Sequence, residues 1–514
     1  VLIPYIIDRG PEYGKDLSAS HGSAEESPSE HRKVVVEFSS PNLGREFNGL
    51  HFRSTVIGAF ISSLHERMGW DVCRMNFLGD WGRHIGLLAA GWSRFGSEEE
   101  FETDPLRHLI EVYAKIDELF KSEQQAASHA PVEQEDEAGV EVHGIEAEKD
   151  EFFKKMEDGD PAALELWKRF RDICIAKYTQ LYARLNITFD DYSGESSVQQ
   201  ETIEEVEEAL KESGVYKVID DAWKIEFSKP GEKGHGQVIA RFRNGTTSYL
   251  LRDIASVVER HKTYSFDKMI YVVSGKQVSH FQQVFKAIEL MGYSELAGKL
   301  VHVPFGVVQG LAPKDGTSGL LLGDILDQCQ EATGLLLAAE PAISELSQGE
   351  VTPEVTDHLA GLNLMVEDLS IRRTGVFTFD LNKLATPGDY TGLSLQKWFT
   401  RLSSKLKGVD IDREGLELTD YSIFEDETNG YADVLRLLIQ FPGTVKSAYE
   451  HLESANLLTL LFSIMNLLPS VWEEEAEAEA SHQNPAKLAF YKCVHHVLEN
   501  GMRILGLVPL EMGD

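Results

Sequence analysis

A short strand, a sharp loop and an apolar helix in immediate succession constrain this chain more than any other stretch. Val34-Val35-Val36-Glu37-Phe38 is a β-branched run that ends in Ser39-Ser40-Pro41-Asn42, a strand followed by a loop. From about Ser54 to Met68, Val56, Ile57, Phe60, Ile61 and Leu64 share one helical face, and Gly69 is the stop. Asp71 to Asn76 reads as a second strand. The order strand, helix, strand predicts parallel pairing, with the first turn opening onto a helix N-terminus. Free backbone N–H groups and the helix dipole favour anions there, so nucleotide phosphate is the expected ligand class at that turn.

Further along, Lys121 to Asp150 is poor in aromatics and rich in Glu, Gln, Ala and Gly, and is expected to be a disordered insertion. Asp160-Pro161 caps and starts a long amphipathic helix through Trp167, Phe170, Cys174, Tyr178 and Leu185. Strand signals resume at Gln237 to Phe242, Met269 to Val273 and Val301 to Val308, and from about Glu354 the pattern is helical. The expected organisation is residues 1–32 as the trailing part of an N-terminal region and 33–120 as the first half of an α/β domain. A connective insertion covers 121–235, the second half of the α/β domain 236–350, and a helical domain 351–514. No internal repeat is visible.

Hydrophobic content of 42% and charged content of 26% are those of an ordinary soluble globular protein. No apolar stretch reaches the ~18 residues of a membrane span, so a membrane partner is not expected. Cys73, Cys174, Cys329 and Cys493 are far apart in sequence, which argues against a zinc knuckle or a disulfide framework and for a reduced, cytoplasmic setting. The net charge of −35 speaks against DNA. Part of it is local, in Glu133–Glu151 and Glu473–Glu479, so a basic face elsewhere stays available to RNA.

Four blocks in order carry a resemblance to a known family. They are Val35 to Asn42 (VVEFSSPN), Met75 to Gly82 (MNFLGDWG), Asn244 to Asp253 (NGTTSYLLRD) and Asp267 to Val273 (DKMIYVV). Together with the tail Leu498 to Leu507, they make the chain resemble the eukaryotic cytosolic arginyl-tRNA synthetases, from near residue 33 to the C-terminus. That resemblance implies an α/β Rossmann-type class I synthetase catalytic domain with an insertion, followed by an all-α anticodon-binding-type bundle. It implies L-arginine and tRNA-Arg, or an aminoacyl-tRNA, as partners.

By the same resemblance, Glu37 and Asp253 would hold the guanidinium with the help of Tyr249, while Ser40, Asn42 and Gln277 hold the α-amino and carboxylate end. A planar, permanently charged group calls for such carboxylates. The family's ATP turn, His-x-Gly-His, reads here Asn48-Gly49-Leu50-His51, preceded by Arg45-Glu46 in place of Lys-Pro. Leu50 would fill space that adenine uses. The second ATP loop reads Leu311 to Thr317, where Lys314 could serve and Asp315 stands in place of Lys. At Gly388 to Phe399 an added Tyr390 and the run Lys397-Trp398-Phe399 depart from the family, with Trp398 and Phe399 best read as helix core.

His51 and Tyr249 are the catalytic candidates, and His280, three residues after Gln277, borders the same region. His495 and His496 are adjacent, so they are expected to face different ways on a helix, and no metal is assigned. These residues suggest an arginine-binding protein with impaired adenylation, an aminoacyl-tRNA-dependent arginine transferase such as an arginine-containing cyclodipeptide synthase. The alternatives are a working arginine–tRNA ligase, which would need ATP with Mg²⁺, and a non-catalytic arginine-sensing relative.

Overall fold

The computed structural model describes residues 2–15, 32–45, 47–129, 144–227, 236–310, 321–339, 352–409, 411, 413–426, 428–472 and 484–511. Strands β1 (Lys33–Glu37), β2 (Asp71–Leu78) and β3 (Asp191–Gly194) precede a hairpin of β4 (Tyr216–Ile219) and β5 (Ala222–Glu226), then β6 (Gln237–Arg241). After these come β7 (Lys268–Ser274), β8 (Leu300–Phe305) and the short pair β9 (Val308–Gln309) and β10 (Phe377–Thr378). The central sheet runs β3-β2-β1-β7-β8 with every neighbour parallel. Val34, Val35 and Val36 are fully buried in it, as expected for a strand covered on both faces.

The helix expected from Ser54 begins earlier, at Gly49, and ends at Arg67. It is buried all round, because it lies between the sheet and helices Pro353–Leu369 and Pro485–Ile504. Several of its polar residues are bonded individually. Ser54 Oγ donates to the Val272 carbonyl (2.7 Å), and Arg53 Nε pairs with Asp368 at 3.0 Å, both side chains at most 1% exposed. Removing one partner of such a pair costs about 3–5 kcal/mol, so this contact locks the first strand–helix unit to the helical half.

Two expectations need correction. Helices Pro105–His129 and Ile145–Glu157 take up both ends of the stretch read as a disordered insertion, and its middle, 130–143, lies outside the described residues. Ile145 inside the stretch, with Phe120 and Phe153 just beyond its two ends, buries apolar surface in these helices. Strand β6 does not join the central sheet. It pairs antiparallel with β5, after a β4–β5 hairpin whose Asp220 and Asp221 both have positive φ.

Residues 2–15 pack on the helical half. Helix Leu2–Arg9 lies against Pro485–Ile504, and Asn500 Nδ2 donates to the carbonyls of Gly10 and Tyr13. Pro442 sits inside helix Tyr431–His451 and has no N–H for the Leu438 carbonyl, and the Tyr13 hydroxyl donates to that carbonyl instead (2.8 Å). Trp398 and Phe399 are buried in helix Gly392–Leu406, as read. Among the described residues, no helix is long and apolar enough to cross a membrane.

Candidate functional site

The C-terminal ends of β1, β2, β3 and β7 converge on a cavity of about 510 Å³ lined by Glu37, Ser40, Asn42, Arg45, Tyr249, Asp253 and Gln277 among others. Binding at this edge is the general rule for parallel sheets. The loop after β1 reaches it through two serines in the left-handed region, Ser39 (φ 67°) and Ser40 (φ 47°). Serine in this conformation is strained, and side-chain bonds hold it. The Ser39 N–H donates to Ser54 Oγ (2.9 Å), and its own hydroxyl bonds the Tyr182 hydroxyl (2.7 Å). The Phe77 N–H donates to Ser40 Oγ (3.2 Å). Asn42 Oδ1 lies so close to Gly79 that a Cβ there would come within 1.8 Å of it, so the GDWG block needs its first glycine to seat Asn42.

Charge decides what this cavity accepts. Three of its guanidiniums already have acids: Arg260 with Glu37 (2.7 Å), Arg252 with Glu157 (2.9 Å) and Arg83 with Asp150 (2.5 Å). Glu37 therefore lines the cavity as expected, yet its charge is met from within the protein. Burial pushes its carboxyl up and the Arg260 guanidinium pulls it back. The acid that accompanies Asp253 is Glu195, absent from the expected set. Withdrawal from bulk water, Asp253 and Asp80 together raise Glu195 well above the ordinary carboxylate range. Asp80 itself is satisfied by Arg171 Nε (2.7 Å) and by the N–H and hydroxyl of Ser196. Asp253 is hydrogen-bonded to His280 Nε2 (2.6 Å) and Glu195 to the Trp81 backbone, and among the described residues neither forms an ion pair with an arginine or lysine.

Tyr249 is 59% exposed at the cavity mouth, its ring 4.9 Å from that of His280. Burial and the Asp253 charge raise its phenol, so it is a hydrogen-bond donor rather than a phenolate nucleophile. Arg45 lines the cavity too, lying on the Tyr113 ring and donating to its hydroxyl (2.7 Å).

Asn48, Leu50 and His51 are not among the lining residues. They form a closed turn at the N-terminus of the Gly49–Arg67 helix. Asn48 Oδ1 accepts from the Leu50 N–H (3.1 Å), and the Asn48 N–H donates to His51 Nδ1 (3.2 Å). This is a capping box that consumes donors at the helix start. Desolvation pushes His51 down to about 4, so its imidazole is neutral at pH 7. Lys314 and Asp315 lie outside the described residues.

The expectation that His495 and His496 diverge is corrected: their ligand atoms and that of Glu499 lie within 4.8 Å of one another. Glu499 is four residues after His495, on the same helix face. His495 Nε2 is bonded to Ser403 Oγ (2.9 Å) and its ring stacks on Phe399, so this cluster takes part in helix packing.

A family model described as tRNA synthetases class I (R), catalytic domain, matches residues 16–381, and the DALR anticodon binding domain matches 395–512. The probable cytoplasmic arginine–tRNA ligase of Schizosaccharomyces pombe is 35% identical over 523 residues, spanning 99% of this chain and 80% of that protein. The chain belongs to the arginyl-tRNA synthetase family. The cytoplasmic enzyme of Saccharomyces cerevisiae is 36% identical, again over 99% of this chain and 80% of its own length. The mitochondrial enzyme of the same yeast is 36% identical over 99% of this chain and 75% of its length. Among solved structures, the arginyl-tRNA synthetase of Plasmodium falciparum superposes with a TM-score of 0.70 at 20% identity, over 95% of this chain and 78% of that one. That of Thermus thermophilus gives 0.72 at 17% identity, over 98% and 86%. The expected class I fold with its helical anticodon-binding-type domain is thus the fold of this family member.

Proposed function

We propose that the chain is an arginine–tRNA ligase, joining L-arginine to tRNA-Arg at the expense of ATP through an arginyl-adenylate. The observation that carries this is one cavity holding Ser40, Asn42, Tyr249, Asp253 and Gln277, in a chain 36% identical to a yeast ligase along 99% of its length. In this reading Asp253 and Glu195 hold the guanidinium, and Arg260 keeps Glu37 in place at the cavity wall. Ser40, Asn42 and Gln277 take the α-amino and carboxylate end. Mg²⁺ arrives on the ATP phosphates as part of the substrate. The four buried cysteines fit a reducing location, for which we take the cytoplasm, the relatives including both cytoplasmic and mitochondrial enzymes. The relatives favour this reading over an aminoacyl-tRNA-dependent transferase.

One observation supports a second reading, in which adenylation is weak and the arginine pocket serves an arginyl group already carried on tRNA, as in an arginine-containing cyclodipeptide synthase. Phosphates bound at a helix N-terminus need its free N–H groups and gain from nearby cations. Here Asn48 and His51 cap each other and His51 is neutral. Arginine-dependent pyrophosphate exchange, with and without tRNA, separates the two. Robust exchange supports the ligase. Its absence, with a dipeptide product formed from arginyl-tRNA, supports the second reading and removes the first.

A further inference from the structure

His280 donates from Nε2 to Asp253 Oδ2 at 2.6 Å, and we propose that it is a positioning residue that makes Asp253 selective for a guanidinium. The inference rests on the cavity being the arginine site. An ionised Asp253 only accepts hydrogen bonds, so the imidazole must be the donor, and its proton sits on Nε2. Nδ1 is buried with no hydrogen-bond partner among the described residues, so the ring offers its one polar contact to Asp253 alone.

The ring is gripped on both sides. Tyr249 lies 4.9 Å from it and Phe281 5.5 Å edge-on, while Phe281 stacks on His302 at 4.6 Å. His302 in turn bonds the Val273 carbonyl at the end of β7 (3.1 Å). A chain of rings therefore connects Asp253 to the sheet. With Oδ2 held by His280, rotation of the Asp253 carboxylate is restrained where it lines the cavity, and Oδ1 is not engaged by that bond. A guanidinium carries donors only, and its planar fork requires an acceptor in a fixed place. His280 also follows Gln277 by a single turn, so both ends of a bound amino acid would be gauged from the same segment.

Binding of L-arginine and of L-citrulline, a neutral isostere of the same length, to the full chain by calorimetry provides the test. The parent is expected to bind arginine and strongly prefer it. His280→Phe keeps ring packing and removes the donor. It should weaken arginine about tenfold and leave citrulline unchanged, so that discrimination falls about tenfold. His280→Gln, which retains an N–H, should recover discrimination to within about threefold. Should the Phe variant not fold, His280→Leu, which also lacks a donor, takes its place in the same comparison. Equal weakening of both ligands, or unchanged discrimination, would overturn the inference, since it would mark His280 as packing only. If the parent does not bind arginine at all, the cavity reading fails and this inference with it.

Discussion

The half of the site proposed to hold arginine and the half proposed to meet phosphate flank the same loop, yet they are in opposite electrostatic states. Around the cavity, Asp253 and Glu195 stand beside guanidiniums that already have their own acids. At the Asn48–His51 turn, donors that could meet phosphate are turned inward. One half is kept open for a cation and the other is closed on itself. The energetic logic also differs. Acids crowded together without a guanidinium between them cost stability until ligand arrives, whereas a capped helix stabilises the empty protein.

The largest expected effect is at Asp253. Truncating one partner of a buried charge pair costs about 3 kcal/mol, so Asp253→Ala should weaken arginine binding roughly 150-fold by calorimetry. His51→Ala should leave arginine affinity within about threefold. Equal losses in the two variants would show that the halves are one unit and would break the comparison.

Next is repair of the turn. Asn48→His with Leu50→Gly opens the capping box and removes the side chain beside it, so arginine-dependent pyrophosphate exchange should rise at least about tenfold. An unchanged rate would mean that the closed turn does not limit adenylation, and the contrast would lose its functional meaning.

Part of this was readable from the residues themselves and part only from the family resemblance. The β1 strand, its loop and the helix behind it follow from β-branched residues and spacing, whereas the grouping of Ser40, Asn42, Tyr249, Asp253 and Gln277 was what the family resemblance implied. Glu195 was not readable in that way. It follows β3, whose Asp191–Gly194 run has too little apolar character to announce a strand. Once β3 is seen to pair with β2, the acid just past its C-terminal end falls at the edge where parallel sheets bind ligands. The pairing of Glu37 with Arg260 was equally hidden, since it joins residues on separate elements that only the folded sheet brings to 2.7 Å. The inward closure of Asn48 and His51 has a local signature, a polar cap followed three residues later by a side chain able to bond back, but His in that role is unusual enough to pass as a phosphate ligand.

Glu195→Gln sharpens the comparison from the stability side. Its folded pKa is raised above the unfolded value, so the folded state binds more protons, and stability falls as pH rises through the window above the ordinary Glu value. Gln carries no charge at any pH, so its Tm should exceed the parent's by about 1–3 °C towards the alkaline end of that window, while arginine binding weakens about tenfold. A lower Tm in this variant would mean that Glu195 already has a partner cation in the empty protein.

The smallest effect tests the opposite sign in the other half. His51 has a folded pKa of about 4, below its unfolded value of about 6.5, so the unfolded chain binds the extra proton between those limits. Stability from this residue is complete above pH 6.5 and is lost as pH falls towards 4. His51→Gln keeps a side chain able to accept from the Asn48 N–H but does not titrate. Its melting temperature should fall less steeply than the parent's between pH 6.5 and 4, with the curves parallel above pH 7. His65, His84 and His496, also pushed down to about 4 chiefly by burial, remain in both proteins and contribute to the common part of the slope. Glu195→Gln should leave this acid limb unaltered below the ordinary Glu pKa, where the parent residue is protonated in both states. Identical acid limbs for His51→Gln and the parent would place His51 in open solvent, and the turn could no longer be described as closed on itself.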